Sequence, residues 1–409
     1  MTAPLPQGTP GVAPLGSLRA LADDPAPGVY LQDVYPPPAP SLPTGVPAFL
    51  GFASGGEPGQ PQPLTLWPQF VADFGLDPDA YLGYAVRGFF ENGGGLCYVV
   101  RLDDGSPAAD GLRAGLAALH DVDTVDLICA PDIMSKDSLT KPPDIEAIAG
   151  LQREILDDCQ LTGGRFAVLD AVYTTGSAEV ERQRAALARE DGAARENGAL
   201  YHSWLWVRGY DGQRHCVPPC GHVAGIYART DQLAGPGRAP ANMAIDGVLD
   251  VPASLTDDTI GRLYRLGINC LRALPGRGIR IWGARTLSDD PAWQHVTARR
   301  VFLTVCRWLE RFMTGLAYEP NDVRLWVRIM RELSAYLDRL FTHGDLAGLT
   351  PDEAFFVKCD GETNPPEITA AGQVVTVVGL ALTAPAEFIY VRIIHGAGGV
   401  SIRPAAVTA

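Results

Sequence analysis

The sequence predicts an α/β protein: a helix-covered, largely parallel sheet domain and a smaller α+β C-terminal domain, with extended strand arms at both ends. Three observations predict this. Short apolar runs alternate with helical patterns from Val46 to about Arg229, which is typical of parallel strands joined by helices. Two amphipathic helical patterns follow between residues 291 and 343. Runs rich in β-branched residues lie near both ends of the chain.

Composition limits the classes of partner. The 409-residue chain is 46% hydrophobic and 20% charged, with a net charge of -14, which is typical of a globular protein of about two domains. So acidic a chain is a poor match for nucleic acid, and we expect no nucleic-acid partner. No stretch reaches transmembrane length and the N terminus lacks signal-peptide features, so we expect synthesis in the cytoplasm and no membrane insertion. The eight scattered cysteines favour buried thiols over disulfides.

Residues 1–43 are predicted to form an N-terminal arm. The prolines at 36–38 and 40 are incompatible with a packed helix or a central strand. One short run within the arm has strand character, and its apolar members are Val29, Tyr30, Leu31 and Val34. A single strand needs a hydrogen-bonding partner, which is either another strand of the same chain or a strand of a neighbouring copy.

Residues 44–240 are predicted to form an outer α/β domain. The expected strands, in chain order, are Ala48–Phe52, Cys97–Arg101, Val125–Pro131, Arg165–Asp170 and Trp204–Val207. The helical patterns between them lie near residues 81–90, 112–119, 143–159 and 179–190. A loop-like composition at residues 235–242 places a domain boundary near residue 240.

Residues 241–385 are predicted to form an inner domain built on two helices. After the cap-like segment 288–291, an apolar stripe recurs at helical spacing: Val301, Val305, Trp308 and Phe312. A second helix is expected from Asp322 to about His343, ending at Gly344, with five residues facing inward: Trp326, Met330, Leu333, Leu337 and Leu340.

Three arginines of the first of these helices share one face: Arg300, Arg307 and Arg311. Such a face is either an ordinary solvated surface or a basic surface held against an acidic partner.

Two strong strand patterns lie near the C terminus, at Gln373–Leu380 and Glu387–Ile394, and a turn at Pro385 joins them. Residues 386–409 are predicted as a C-terminal strand and tail, and the strand contains Phe388, Ile389, Val391 and Ile393. An apolar strand near a chain end needs cover, either from a hairpin within the chain or from a neighbouring copy.

The sequence contains no catalytic or cofactor-binding signature. The glycine runs at 92–95 and 276–278 precede strands, whereas phosphate-binding loops follow them. Asp126, Asp132 and Asp170 end strands, but no nucleophile motif joins them and aspartate is an ordinary turn residue there. The run from His215 to His222 contains four possible zinc ligands, but paired prolines stiffen it and a second ligand pair is lacking. We therefore predict no catalytic residue, cofactor or metal.

Several short motifs occur in an order that resembles contractile tail sheath proteins. They are Gly267-Ile268-Asn269, Trp282-Gly283-Ala284-Arg285-Thr286-Leu287, Arg299-Arg300, Glu319-Pro320-Asn321-Asp322 and Phe355-Phe356-Val357-Lys358. Each motif alone is weak, and their order and spacing make the match specific. Further upstream, Phe49-Leu50-Gly51 and Cys97-Tyr98-Val99-Val100-Arg101 extend the resemblance over nearly the whole chain.

The resemblance implies a structural subunit and not an enzyme. Members of this family, in phage tails, tailocins and extracellular injection systems, stack as hexameric rings around an inner tube and contract to drive it through a target envelope. Implied partners are neighbouring copies, the inner tube protein, and baseplate and cap components, in an assembled phage-tail-like particle. The two predicted strands would pair with neighbouring copies, and the three arginines would contact an acidic tube. The competing interpretations are a cytosolic α/β enzyme that binds a small molecule within residues 46–240, and a tube-associated or capping component.

Overall fold

The computed structural model describes residues 42–134, 139–188, 194–316, 319–385, 387–396 and 399–404. The predicted arm strand with Val29, Tyr30, Leu31 and Val34 lies outside the described residues, so its pairing stays a prediction.

A large sheet is the main architectural element. Its strands are β1 Pro47–Gly51, β2 Gln62–Leu64, β3 Cys97–Arg101, β4 Leu127–Cys129, β5 Phe166–Asp170, β6 Gly198–His202, β10 Ile268–Leu274 and β11 Gly278–Trp282. They lie in the order β11-β10-β6-β5-β4-β1-β3-β2. The inner strands are all parallel, and only the outermost strands β11 and β2 run antiparallel to their neighbours. The predicted helix-covered, largely parallel sheet is confirmed.

Helices cover both faces of this sheet. They are α1 Trp67–Phe74, α2 Leu82–Glu91, α3 Ala108–Ala118, α4 Ile145–Thr162, α5 Ala178–Ala186, α6 Cys220–Ala234 and α7 Asp257–Arg265. Side chains alternate between the faces along each strand. In β1, Phe49 joins the core under α2 and α6, whereas Leu50 joins the core under α3 and α4. The inner strands β1, β4, β5 and β6 are buried on both faces, which explains why they read as mostly apolar runs.

Helices α2 and α6 pack closely because Gly221 has no side chain. A Cβ atom at this position would lie 2.1 Å from the carbonyl oxygen of Ala85 on α2. The two helices are therefore so close that only glycine fits at residue 221.

A small antiparallel sheet takes up one of the predicted strands. It consists of β7 Leu205–Arg208, β8 Arg214–Val217 and β9 Val248–Asp250, in the order β8-β7-β9. The prediction that Trp204–Val207 joins the large sheet is wrong, because β6 takes the place beside β5. Strand β7 instead forms a hairpin with β8, which Gly209 N closes by donating to Gln213 O at 2.7 Å.

The C-terminal part is a four-stranded antiparallel sheet with helices. Its strands β12 Phe355–Lys358, β13 Val374–Ala381, β14 Phe388–Gly396 and β15 Gly399–Pro404 lie in that order. The helices are α8 Val296–Thr314, α9 Val323–His343, α10 Pro351–Ala354 and α11 Pro366–Ala370. This arrangement confirms the predicted smaller α+β region.

Helix α8 buries the apolar stripe that the sequence predicted. Val301, Val305 and Trp308 are buried, and Phe312 stacks on Trp308 with ring centroids 5.1 Å apart. The helix begins at Val296, later than predicted, because residues 291–293 form a short 3-10 turn in which Asp290 Oδ1 accepts from Ala292 N.

Helix α9 begins and ends where predicted, but the face that it buries differs from the predicted face. The Asp322 carboxylate caps its first turn, and Gly344 ends it in the left-handed conformation, with φ 87°. The most buried residues are Leu325, Ile329, Leu333, Tyr336 and Leu337, whereas the predicted Trp326, Met330 and Leu340 are only partly buried.

The large sheet runs across the domain boundary predicted near residue 240. Strand β10, from beyond that boundary, pairs in parallel with β6, from before it. Residue 240 therefore does not separate two sheets.

Candidate functional site

The predicted C-terminal strand is β14, and it is an inner strand of its own sheet. It pairs with β13 from Ala381↔Phe388 to Val374↔His395 and with β15 from Val391↔Pro404 to Gly396↔Gly399. Phe388, Ile389, Val391 and Ile393 all lie in this strand, and the last two are fully buried. Both edges of β14 are therefore occupied within the single chain, and pairing of these four residues with a neighbouring copy stays a prediction.

Strand β15 lies in the segment that the sequence predicted as a tail. Its sequence Gly399-Val400-Ser401-Ile402 alternates apolar with small or polar residues, and this short signal could have revealed a strand. In the sheet, β15 and β12 are the two edge strands. An edge strand presents one row of backbone donors and acceptors that can pair with another chain.

Arg300 is not part of an exposed basic face. Its side chain is 3% exposed and lies between α8 and α6. Nη1 donates to Asp231 Oδ1 at 2.7 Å, and Nη2 donates to Asp126 Oδ2 at 3.1 Å. The guanidinium also stacks over the Tyr227 ring, 4.9 Å from its centroid. Burial alone lowers the pKa of Arg300, but the two carboxylates outweigh burial and hold the pKa above its ordinary value.

The two other predicted arginines lie further along α8, towards its C-terminal end. Arg307 is partly buried: it donates to Asp123 O at 2.7 Å and to Pro43 O at 3.4 Å. Arg311 is exposed. Helix α8 also packs against β15. The helix thus joins the first described residues of the chain to its last described strand, and of the three arginines only Arg311 is fully available to a partner.

The three aspartates that the sequence placed at strand ends have structural roles: Asp126 precedes β4, Asp132 follows it and Asp170 ends β5. Asp126 accepts hydrogen bonds from Gly45 N and Val46 N, at 3.0 and 2.6 Å, and so fixes the chain as it enters β1. Asp132 accepts from Tyr81 N and Leu82 N at the start of α2. Asp170 accepts from Cys220 N at 2.7 Å, and burial raises its pKa to about 7 although this bond opposes the shift. Each carboxylate satisfies main-chain donors, as strand-end and cap residues do.

The residues from His215 to His222 are separated by secondary structure. His215 bonds to Asp211 from the edge of the β7–β8 hairpin, while Cys220 and His222 are buried in α6. Among the described residues, no group of three or more histidine, cysteine or acidic side chains is placed to hold a metal ion. Within the same residues, no helix has the length and apolar character needed to cross a membrane.

Known proteins resemble this arrangement in sequence and in fold. A family model for the central domain of phage tail sheath proteins matches residues 166–287, which run from β5 past β11. The contracted helical sheath of the anti-feeding prophage superposes with a TM-score of 0.71 and 28% identity, covering 89% of this chain and 97% of that one. The family model, the sequence relatives and the solved structures all support a contractile tail sheath family. The chain also resembles the contracted sheath of PVC, an extracellular contractile injection system, with a TM-score of 0.69, 29% identity and coverage of 89% and 96%.

A phage relative is much longer than this chain. The tail sheath protein of Vibrio phage KVP40 is 29% identical over 160 residues, which is 38% of this chain and 23% of the phage protein. The match therefore spans less than a quarter of the length of that relative.

Proposed function

We propose that this sheath protein polymerises as stacked hexameric rings around an inner tube and contracts to drive the tube through a target envelope. The contracted state of the two similar sheaths supports this proposal. The proposed partners are further copies of the chain, the inner tube protein, and baseplate and cap components. The proposed location is an assembled phage-tail-like particle.

The position of β15 is the observation that carries the proposal. This edge strand pairs with β14 through main-chain hydrogen bonds from Val391↔Pro404 to Gly396↔Gly399. A copy of β15 from a neighbour can form the same bonds, because they depend little on side chains. Exchange of identical strands between copies is a low-cost route to assembly. The predicted arm strand from Val29 to Val34 would supply a second link of the same kind.

Strand links of this type suit a sheath that changes shape. The main-chain bonds hold while the globular parts rotate and exchange one set of surface contacts for another. A metastable extended state then stores the free energy that contraction releases.

Arg311 is the proposed contact to an acidic inner tube, and Arg307 lies beside it. Charge pairs on such a surface are individually weak, about 1 kcal/mol or less, and can release as the sheath moves. Arg300 takes no part in this contact, because its charge is already paired inside the subunit.

Electron microscopy of three purified chains tests the proposal. We expect tubes or stacked rings from the full chain, and their loss from a chain lacking residues 1–40 and from a chain ending at Gly396. Particles of equal number and length from all three chains would contradict strand exchange. In a separate assay with the tube protein, Arg311→Glu should reduce loading of the sheath, and unchanged loading would remove Arg311 from the proposal.

A further inference from the structure

An apolar groove lies at the β11 edge of the large sheet. Ile281, fully buried, and Ile260 on α7 lie at its base, and Tyr264, Trp282 and Ala284 line it. Its volume is about 660 Å³. Trp282 is 37% exposed there, and its ring is held by Arg272, whose guanidinium lies 5.8 Å from the ring centroid and pairs with Asp257 at 2.6 Å. The groove is therefore a largely apolar surface with an aromatic wall, and Asp257, Arg272 and His295 add polar groups to its lining.

The groove is not a site for strand addition. The backbone of β11 is already paired beyond its edge, since Asn242 N donates to Ile281 O at 2.8 Å and Ile245 N donates to Ile279 O at 2.9 Å. An occupant must bind through side chains, and apolar side chains are the ones that this lining fits.

Leu349 is a matching apolar protrusion. It is 90% exposed, the highest value among the exposed large hydrophobic residues of the described chain. The short loop that carries it is fixed on both sides. Leu349 N donates to Glu353 Oε2 at 2.8 Å, and Ala347 N donates to Ala381 O on β13 at 2.8 Å. Gly348 makes the turn with φ 141°, so the leucine side chain is held out from the surface.

The charges around the two features are complementary on balance, because the acidic side chain that lines the groove, Asp257, is paired with Arg272. Leu349 is followed by the acidic side chains of Asp352, which is exposed, and Glu353. Beside the groove, Arg285 stacks on Tyr264 at 4.5 Å, and Arg280 donates to the main chain at Asn242 and to Arg277 O. These arginines bond to rings and carbonyls, so an acidic surface brought to the groove meets cations that it can pair with.

We propose that Leu349 of one copy seats in the Trp282 groove of the next copy. This inference rests on the proposed self-assembly and names one contact that would build it. Leu349 and the groove lie on different surfaces of the same chain, so the contact is heterologous. Contacts of this kind propagate from copy to copy and generate rings or helical arrays, whereas a self-complementary patch stops at a dimer.

Cysteine crosslinking between full-length chains tests the contact. The eight native cysteines are all buried, so introduced surface cysteines are the accessible thiols. One chain carries Leu349→Cys and the other, with a different affinity tag, carries Ala241→Cys on the groove lining. After mixing and treatment with a short bismaleimide, we expect the mixed dimer in at least fivefold excess over a matched mixture in which Leu161→Cys replaces Leu349→Cys. Leu161 is a fitting control because it is 78% exposed and lies at the end of α4.

The outcomes separate this contact from the sheath proposal. An equal yield with the Leu161 control overturns the contact, and any particles seen by microscopy then leave the proposed function standing. Excess mixed dimer without particles supports the contact and argues against polymerisation. A dilute chain carrying both Leu349→Cys and Ala241→Cys should not crosslink internally, and an internal crosslink would overturn the assignment to a second copy. In assembly assays, Leu349→Asp should raise the concentration needed for particles about tenfold, and Leu161→Asp should not.

Discussion

Arg300 on α8 and Asp231 on α6 form a buried ion pair, with 2.7 Å between Arg300 Nη1 and Asp231 Oδ1. Asp126 completes the site from the segment just before β4, and the same carboxylate binds the main chain at Gly45 and Val46. Arg300 and its two carboxylate partners therefore connect α8, which packs against β15, to Gly45 and Val46 just before β1.

Asp231→Asn should lower the free energy of unfolding by about 3 kcal/mol. The reason is that a buried guanidinium loses a paired charge and cannot be rehydrated. Urea denaturation of the full chain measures the change. The exposed Asp338→Asn on α9 is the control, with an expected change within about 0.5 kcal/mol. Equal effects of the two substitutions would show that the ion pair adds no stability.

Gly221→Ala should destabilise the protein by about 1–3 kcal/mol, because the new methyl group would overlap Ala85 on α2. Gly150→Ala in α4 is the matched control, since the nearest atom to its Cβ position lies 3.9 Å away, on the Arg153 side chain. This control should stabilise by up to about 1 kcal/mol through helix propensity. Thermal unfolding measures the stability of both variants. A Gly221→Ala variant as stable as the unsubstituted chain would mean that α2 and α6 can move apart.

Asp170→Asn should change the pH dependence of stability. Burial raises the pKa of Asp170 to about 7 in the folded chain, so the folded state keeps a proton that the unfolded state has lost above about pH 4. Stability from this group is present at low pH and is lost as pH rises from about 4 to about 7, at about 1.4 kcal/mol per pH unit. Removing the carboxyl should make the slope of unfolding free energy against pH more positive by this amount, and an unchanged slope would place the carboxyl in contact with water.

His222→Gln should change the slope in the opposite sense. Burial, with a smaller contribution from Arg87, lowers the pKa of His222 to about 4. The unfolded chain takes up a proton near pH 6.5, so stability from this group is present above pH 6.5 and is lost as pH falls towards 4. In the variant, the slope of the unfolding free energy against pH should therefore be smaller by about 1.4 kcal/mol per pH unit below pH 6.5. Urea titrations at pH 5, 6 and 7 measure this slope. Unchanged acid sensitivity would show that His222 is already protonated or solvated in the folded chain.

The sequence predicted elements whose pattern is local. Strand β3 has the predicted bounds of Cys97–Arg101, because a glycine run precedes it and its residues are apolar or β-prone. The ends of α9 were predictable as well, since Asp322 and Gly344 are a side-chain cap and a left-handed terminator. Strand β6 was missed because Gly198 and Ala199 give a weak strand signal, while the more apolar Trp204–Val207 run lies only two residues beyond its end.

The parts of the candidate site that depend on distant residues were not predictable. Helical spacing placed Arg300 on a face with Arg307 and Arg311, and nothing local distinguishes it from them. Its partners Asp231 and Asp126 are 69 and 174 residues away in sequence. The sequence also showed that β14 needs cover on its edges, but only the fold identifies β13 and β15 as the strands that supply it.

The path of the chain through the large sheet has a consequence for biosynthesis. Strands β6 and β10 are neighbours in the large sheet, but residues 203–267 lie between them in the sequence. These residues form the β7–β9 sheet, α6 and α7. A ribosome must therefore release residues up to about Trp282 before the sheet can close, and pairings this far apart in sequence form slowly. The N-terminal arm emerges long before that point. Under the proposed strand exchange, the linking segment Val29–Val34 is therefore synthesised before the large sheet of its own chain can close.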